Sequence, residues 1–216
     1  MHVQTFPVGP FQCNCSILGD EASGTAILVD PGDEAPRIAA AVAAAGLTVT
    51  QIVHTHAHVD HIGGTAAVQR LVGGRTWLHA GDRFLAEGFA MQCAPFGLPV
   101  PEEPSIDAWL EEGTRFELGS ARLETLHTPG HTPGSCSFVI EADGRQIVFA
   151  GDTLFAGSIG RTDLWGGDTA TILRSLRGKL LALDDEAEVV CGHGPGTTIG
   201  RERRANPFLT GAIRPD

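Results

Sequence analysis

The sequence has no long hydrophobic run, and its first residues contain neither a basic cluster nor an apolar stretch. A helix that spans a bilayer needs about 20 consecutive apolar residues, and a secretory signal needs a charged start followed by an apolar core. The sequence offers neither feature, which disfavours both a membrane protein and a secreted protein. We therefore expect a cytoplasmic protein with no membrane partner.

Paired cysteines and positive charge are also scarce. The five cysteines are an odd number, only Cys13 and Cys15 are close in sequence, and the paired spacing of zinc–cysteine sites is missing. We expect all five to be reduced thiols. Lysine and arginine together number 15 against 26 acidic residues, which gives a formal net charge of −11. Because binding to a phosphate backbone draws on many basic side chains, this balance disfavours a nucleic-acid partner.

The composition is that of one globular domain. The 216 residues include 42% hydrophobic and 19% charged residues, which is enough for a single core, so we expect one domain over 1–216. Short apolar runs bounded by glycine, proline and aspartate indicate strands, and longer alanine-rich or leucine-rich segments indicate helices. The predicted strands are 3–8, 13–18, 25–29, 51–53, 76–79, 115–118, 121–126, 135–140, 146–149 and 188–191. The predicted helices are 34–45, a helix ending at about 71, 82–91 and 169–181.

The order of these elements, strands and then helices twice over, favours an α/β fold in which two sheets pack face to face with helices outside. Asp143-Gly144, between two predicted strands, is a strong signal for a tight hairpin. The segment 93–107 contains four prolines and predicts an irregular loop that covers or borders a site. From Arg201 onwards we expect one short helix at most.

The most informative stretch is the sequence THAHVDH at 55–61. It follows a short β-branched strand and precedes a helix, and ligands bind at the carboxyl ends of strands in α/β proteins. All four ionisable side chains in it can bind a metal ion. Alternate residues of an extended loop point the same way. We therefore expect His56, His58 and Asp60 to converge, with His61 serving a second, adjacent ion.

Three further strand ends carry ligand-type side chains, each directly after a glycine that permits a sharp turn and a close backbone approach. These residues are His131, Asp152 and His193. The seven candidate ligands divide into two sets of four if Asp152 bridges both ions. The first set is His56, His58, His131 and Asp152, and the second is Asp60, His61, His193 and Asp152.

For two residues close to these ligands, the sequence allows more than one role. Asp30 follows the strand 25–29, and it either only turns the chain or also lies close to the site. His54 precedes the ligand stretch, and it either donates a hydrogen bond to a ligand or packs within its strand.

Two divalent ions held in this way predict hydrolytic chemistry. Ions about 3.5–4 Å apart lower the pKa of a shared water towards about 7, so that hydroxide is available at neutral pH, and they polarise a carbonyl. Asp60 would bind one ion and orient the hydroxide, and Asp152 would bridge the ions, so both are candidate catalytic residues. Nitrogen and oxygen ligands suit zinc, which we favour, and also iron or manganese. The sequence has no Gly-x-Ser-x-Gly motif, so no protein nucleophile is expected.

The sequence resembles the metallo-β-lactamase superfamily over nearly its whole length. The matching motifs are THAHVDH at 55–61, TPGHTPGS at 128–135, GDTLF at 151–155 and GHGP at 192–195. Within that superfamily the chain is most similar to the short glyoxalase II-like hydrolases, through Cys13-Asn14-Cys15 and the segments 156–168 and 200–208. The resemblance implies a four-layer αββα sandwich and a binuclear metal site. It also implies hydrolysis of a small-molecule thioester of the S-lactoylglutathione type to a hydroxy acid and a thiol.

Two departures from the glyoxalase II pattern concern glutathione binding. Full-length glyoxalase II enzymes have a C-terminal helical domain that helps to hold glutathione, whereas only about twenty residues follow His193 here, so we expect no such domain. Where those enzymes typically show Lys-Phe-Tyr, this chain has Arg161, Thr162 and Asp163. Arg161 either binds a carboxylate of the substrate or forms an ion pair with Asp163 or Asp168.

The sequence GRTD at 160–163 also resembles the persulfide dioxygenases, which use one iron held by two histidines and one carboxylate. These ligands map to His56, His131 and Asp152, and such a triad suits non-haem iron and oxygen chemistry. The Cys-Asn-Cys start and the Asn-Pro-Phe tail are more similar to the hydrolases. A thioesterase is therefore the first hypothesis and a persulfide dioxygenase the alternative, and the sequence makes no prediction of the oligomeric state.

Overall fold

The computed structural model describes residues 1–213, and most of its strands belong to two six-stranded sheets. The strands are β1 His2–Val8, β2 Cys13–Asp20, β3 Thr25–Val29, β4 Thr48–Val53, β5 Arg75–His79, β6 Ala108–Leu110, β7 Arg115–Leu118, β8 Ala121–His127, β9 Cys136–Ala142, β10 Arg145–Gly151, β11 Leu154–Phe155, β12 Ser158–Ile159, β13 Glu188–Cys191 and β14 Thr197–Thr198. The helices are α1 Ala35–Ala44, α2 Val59–Ile62, α3 Thr65–Val72, α4 Arg83–Ala86, α5 Phe89–Cys93, α6 Thr169–Gly178, α7 Ile199–Ala205 and α8 Pro207–Thr210.

Both large sheets are mixed. The first has the order β1-β2-β3-β4-β5-β6, antiparallel from β1 to β3 and parallel from β3 to β6. The second has the order β14-β13-β10-β9-β8-β7, with one parallel pair, β10 and β13, among antiparallel neighbours. Strands β11 and β12 pair separately. The carboxyl ends of β4, β8, β10 and β13 lie at one edge of the molecule, where the residues that follow them come together.

Alternation of side chains along the central strands produces the layers. In β10, Ile147 and Phe149 enter the core between the two sheets, whereas Val148 and Ala150 face a separate core that includes residues of α6 and α7. Strand β3 alternates in the same way between the core between the sheets and a core shared with α1 and α3. Since a strand presents successive side chains to opposite faces, each sheet is buried on both sides. The αββα sandwich that the sequence predicts is confirmed.

Several elements lie where the sequence places them. The bounds of β3, β7 and β13 are those predicted, and the other predicted strands differ by a few residues. The hairpin between β9 and β10 is confirmed, since Asp143 and Gly144 have φ values of 52° and 72°, as a tight hairpin turn requires. The five cysteines are free and buried.

Two helix predictions are wrong in detail. The single helix expected at 82–91 is two short helices, α4 and α5, interrupted at Gly88, which has no side chain to separate it from the carbonyl of Phe84. The tail from Arg201 holds parts of two helices rather than one at most. Helix α7 ends at Ala205 and helix α8 begins at Pro207, because the proline ring cannot continue the preceding helix.

The segment 93–107 is less irregular than expected at its start, because it includes the end of α5 and a 3₁₀ turn at Ala94–Phe96. The sequence also misses β6, β11, β12 and β14. Each of these strands has only two or three residues, which is too short for alternation to be visible. Within residues 1–213, no helix combines the length and the apolar character that a transmembrane span requires.

Candidate metal centre

The seven candidate ligands meet where the strand ends of the two sheets face each other. The loop after β4 and the short helix α2 supply His56, His58, Asp60 and His61, and the segments after β8, β10 and β13 supply His131, Asp152 and His193. Three groups have ligand atoms within 4.8 Å of one another: His56, His58 and His131; His56, His61 and Asp152; Asp60, His61 and His193. The two halves of the chain thus contribute to one cluster.

Within the cluster, Asp152 lies between two groups of imidazoles. One of its carboxylate oxygens, Oδ2, is 3.5 Å from Nε2 of His131, and the other, Oδ1, is 3.4 Å from Nε2 of His61. On the first side, Nε2 of His131 is 2.9 Å from Nδ1 of His58. On the second side, Nε2 of His61 is 3.2 Å from Nε2 of His193. The carboxylate therefore occupies the position that a ligand shared by two ions would take.

Hydrogen bonds on the outer side of three rings fix which nitrogen faces the cluster. Nδ1 of His131 is 2.8 Å from the carbonyl of Arg161, and Nδ1 of His193 is 2.9 Å from the carbonyl of Phe11. Nδ1 of His61 is 3.0 Å from a carboxylate oxygen of Asp30. Because each outer nitrogen has an acceptor for its proton, the neutral ring directs the lone pair of Nε2 inward. Metal-binding histidines have this arrangement.

Two features of the cluster fit a cation. Oδ1 of Asp152 is buried and has no hydrogen-bond partner, and a buried carboxylate oxygen without a partner is costly. The facing Nε2 atoms of His61 and His193 repel each other if both carry lone pairs, unless positive charge lies near them. A divalent ion satisfies both requirements, so the residues present suit a metal site made of nitrogen and oxygen ligands.

The electrostatics of the cluster differ from ring to ring. Burial lowers the pKa of His56 and His58, whereas the neighbouring carboxylates raise the pKa of His193, and Cys13 with the carboxylates raises that of His61. Burial, together with the neighbouring His131 ring, lowers the pKa of His58 to about 3. Burial alone would raise the pKa of Asp152, but the rings of His61, His131 and His193 hold it below its ordinary value. Neutral imidazole and ionised carboxylate are the forms that bind metal ions.

Glycine is needed at two positions beside Asp152. A Cβ on Gly192 would overlap with Oδ1 of Asp152, and a Cβ on Gly151 would overlap with the side chain of Thr55. Gly151 also has a φ of 50°, a conformation that side chains disfavour. From the sequence, the glycine before each candidate ligand in the second sheet was expected to permit a sharp turn and a close backbone approach. At these two positions the structure shows the close approach.

One detail of the predicted cluster is wrong. The extended loop ends at His58 because helix α2 begins at Val59, so Asp60 does not lie with His56 and His58. Oδ2 of Asp60 is instead 3.2 Å from Nε2 of His193. Asp60 therefore belongs with His61 and His193, as the division into two sets of four assumes.

The comparison with known families agrees with this geometry. The metallo-β-lactamase superfamily profile matches residues 8–193. The chain belongs to this superfamily. It is 40% identical to the hydroxyacylglutathione hydrolase GloC of Haemophilus influenzae over 211 residues, which are 97% of this chain and 98% of that protein. The protein is thus an enzyme of the metallo-hydrolase superfamily.

Solved structures of this superfamily have the same fold. BLEG-1, a B3 metallo-β-lactamase, has a TM-score of 0.89 and 37% identity, over 97% of this chain and all of that one. TTHA1623, solved in a di-iron-bound form, has a TM-score of 0.85 and 40% identity, over 96% of this chain and all of that one. ETHE1 from Myxococcus xanthus has a TM-score of 0.81 and 27% identity, over 98% of this chain and 85% of that one.

In this metallo-β-lactamase fold, two buried aspartates hold the ligand loops. Asp30 accepts hydrogen bonds from the backbone N–H and the hydroxyl of Thr55, at 2.7 and 2.6 Å, as well as contacting His61. Asp82 accepts from the N–H of Ala57 at 3.0 Å and from the N–H of Gly134 at 2.6 Å. Sequence reasoning placed Asp30 near the site as one alternative, but it missed Asp82, which stands alone in sequence without a motif.

The structure also places His54 and Arg161. His54 is buried, and its ring contacts the carbonyl of Trp77 at 2.8 Å and the hydroxyl of Thr65 at 2.7 Å, so it packs within the fold rather than supporting a ligand. The guanidinium of Arg161 donates two hydrogen bonds of 2.7 Å to Asp163. Of the two alternatives for Arg161, the structure shows the ion pair.

Proposed function

We propose that this protein is a metal-dependent thioesterase of the hydroxyacylglutathione hydrolase type, with a small-molecule thioester as its substrate. The observation that carries the proposal is the cluster of six other ligand side chains around Asp152, whose buried Oδ1 lacks a hydrogen-bond partner. The identity of 40% to GloC over nearly the whole of both chains supports the thioester. We also propose that 1–216 form one domain with this centre at its edge, which the two packed sheets within residues 1–213 support.

The proposed ligand sets are the two that share Asp152. The first is His56, His58, His131 and Asp152, and the second is Asp60, His61, His193 and Asp152. A pair of divalent ions bound there supplies a Lewis acid for the thioester carbonyl and a water of lowered pKa. We propose zinc, and the di-iron form of TTHA1623 makes iron the first alternative. The five free, buried cysteines support a reducing, cytoplasmic setting.

The side chains of the protein would orient the reaction. Asp60 is partly exposed and lies 3.2 Å from His193, so its carboxylate can accept a hydrogen bond from the attacking water and hold it in line. In hydrolysis, the water oxygen bonds to the acyl carbon and the carbon–sulfur bond breaks. The thiolate leaves readily, since the pKa of a thiol is only about 8.5, and it takes up a proton from water.

The test is a turnover assay on protein stripped of metal and then loaded with zinc. The zinc-loaded protein should hydrolyse S-lactoylglutathione or related thioesters, and Asp60→Ala and His58→Ala should each lose at least about 100-fold in kcat/KM while remaining folded. His127→Asn, a histidine outside the cluster, is the matched control and should keep full activity. Full activity in Asp60→Ala, or no hydrolysis of any thioester by the loaded protein, would refute the proposal.

A persulfide dioxygenase is the second candidate. It is favoured by the GRTD sequence at 160–163 and by the closeness of His56, His131 and Asp152, which would hold a single iron. Protein purified without oxygen should then contain one iron per chain and consume oxygen when glutathione persulfide is added. Two metal ions per chain without oxygen uptake would exclude this activity.

A further inference from the structure

A groove of about 500 Å³ lies beside the candidate metal centre. Its floor includes His58, Asp60, His131 and Asp152. Because these candidate ligands form part of the same cavity, a molecule in the groove lies against the reacting centre. The larger apolar side chains of its lining form the wall, and they are Phe11, Leu85, Met91, Phe96, Leu164 and Trp165.

Four of these wall residues leave much of their apolar surface uncovered. The exposed fractions are 58% for Met91, 61% for Phe96, 40% for Leu164 and 50% for Trp165. Within the wall, the ring of Phe96 packs edge-on against Phe11, with the ring centroids 5.1 Å apart, so the two rings fix each other's position. Large exposed apolar side chains that line one groove indicate a surface that binds an apolar group.

The other polar side chains of the groove are already engaged. The amide of Gln92 donates to the carbonyls of Ala57 and Leu85, and its oxygen accepts from the N–H of Val59. Arg161 is paired with Asp163, which places a carboxylate beside the guanidinium. A negatively charged group of a substrate would have to displace Asp163 to reach Arg161. The wall therefore offers contact area rather than charge recognition.

We propose that this wall selects thioesters that carry an aromatic or branched aliphatic group next to the scissile carbonyl. The inference rests on the proposed thioesterase function and names the substrate class of that site. With the carbonyl at the ligands on the floor, a neighbouring apolar group comes to lie on Met91, Phe96, Leu164 and Trp165. The apolar group belongs either to the acyl part or to the thiol part of the substrate. In either case an aromatic or branched aliphatic group contacts the wall.

Two matched pairs of substrates test the proposal and distinguish these sources. In the acyl pair, S-lactoylglutathione is compared with S-mandeloylglutathione, in which a phenyl group replaces the methyl group. In the thiol pair, the lactoyl thioester of ethanethiol is compared with that of 2-phenylethanethiol. We expect the phenyl compound of at least one pair to have a kcat/KM roughly tenfold higher, since burial of a phenyl group on such a wall has about that effect.

Variants of the wall connect the preference to these residues. Trp165→Ala and Phe96→Ala should each reduce the preference for the phenyl compound to threefold or less, with a smaller effect on the compound that lacks the phenyl group. Trp109→Ala is the matched control, because Trp109 is 37% exposed and lies outside the groove. The control should keep the full preference.

A binding measurement that needs no turnover separates this inference from the proposed function. S-benzylglutathione and S-methylglutathione are not thioesters, and their dissociation constants can be measured by calorimetry on the zinc-loaded protein. Tighter binding of the benzyl compound, lost in Trp165→Ala, supports the wall even if no thioester is hydrolysed, and equal binding of the two compounds counts against it. Equal turnover within both substrate pairs, or a phenyl preference that survives in both wall variants, would overturn the inference while leaving the thioesterase intact.

Discussion

Replacement of Asp82 by asparagine should destabilise the protein and loosen its metal centre together. The carboxylate is fully buried and accepts hydrogen bonds from the N–H of Ala57, the hydroxyl of Thr132 and the N–H of Gly134. Ala57 lies between two candidate ligands of the first sheet, and Thr132 follows a candidate ligand of the second. One side chain thus ties the ligand loops of the two sheets to each other.

The magnitude follows from the donors that this carboxylate serves. Asparagine has one acceptor oxygen, and its NH₂ group would face either the N–H of Gly134 or that of Ala57. One buried backbone donor is then left without a partner, which costs about 1–3 kcal/mol. Burial raises the pKa of Asp82 despite its three hydrogen bonds. Because asparagine carries no charge, the variant avoids the cost of burying the carboxylate, which offsets part of the cost of the unpaired donor. We therefore expect a loss of about 2 kcal/mol in the free energy of unfolding.

Two assays measure the effect of Asp82→Asn. Urea unfolding of the metal-free protein should give the loss in stability, and a zinc titration should show affinity reduced by about 10–100-fold, as for other residues that orient metal ligands. Thr132→Val, which removes only one of the three donors, should have a smaller effect on both. The exposed Asp184 provides the control variant Asp184→Asn. Unchanged stability and unchanged zinc affinity in Asp82→Asn would show that Asp82 does not hold the ligand loops together.

Three further predictions concern the core, the surface and the response to acid. Phe138 is fully buried between the sheets, so Phe138→Ala should cost about 3–5 kcal/mol in urea unfolding, and a loss below 1 kcal/mol would contradict the described packing. The Arg161–Asp163 pair is exposed, so Asp163→Asn should change the stability by less than about 1 kcal/mol, and a larger loss would show that the pair is structural. Burial and the stacked His127 ring lower the pKa of His79 to about 4, from an ordinary 6.5. Between pH 6.5 and 4, the His79 imidazole is protonated in the unfolded chain but neutral in the folded protein. Its contribution to the free energy of unfolding is therefore complete above pH 6.5 and falls by about 1 kcal/mol, after allowance for solvent screening, as the pH drops from 6.5 towards 4. His79→Gln should remove that part of the pH profile of unfolding, and an unchanged profile would contradict the assignment.

The parts of the fold that the sequence predicts are those with strong local signals. Strand β3 is bounded by turn residues and alternates between two cores, so its limits are readable from the sequence. Strands such as β11 and β14 have two residues each, and they exist because neighbouring chain segments pair with them. The break at Gly88 depends on close packing against another turn, which no periodic pattern reveals.

The residues of the site likewise divide into those with a local sequence signal and those that only the fold brings together. His56, His58, Asp60 and His61 form a dense local motif, and a glycine before His131, Asp152 and His193 repeats one strand-end pattern. The contributions of Asp82 and of the groove wall depend on contacts between segments far apart in sequence, which only the fold brings together. For Arg161, the sequence offered two roles with equal reason, and the nearby Asp163 decides which contact forms in the structure.

We propose that the seven ligand side chains hold two divalent ions with Asp152 between them. The most direct test is elemental analysis of zinc bound per chain after metal-free protein is dialysed against zinc. We predict two ions per chain in the unaltered protein, one in His58→Ala, one in Asp60→Ala and a loss of both in Asp152→Ala. Metal-free protein that takes up no divalent ion, or two ions retained in all three variants, would show that these side chains do not form a binuclear site.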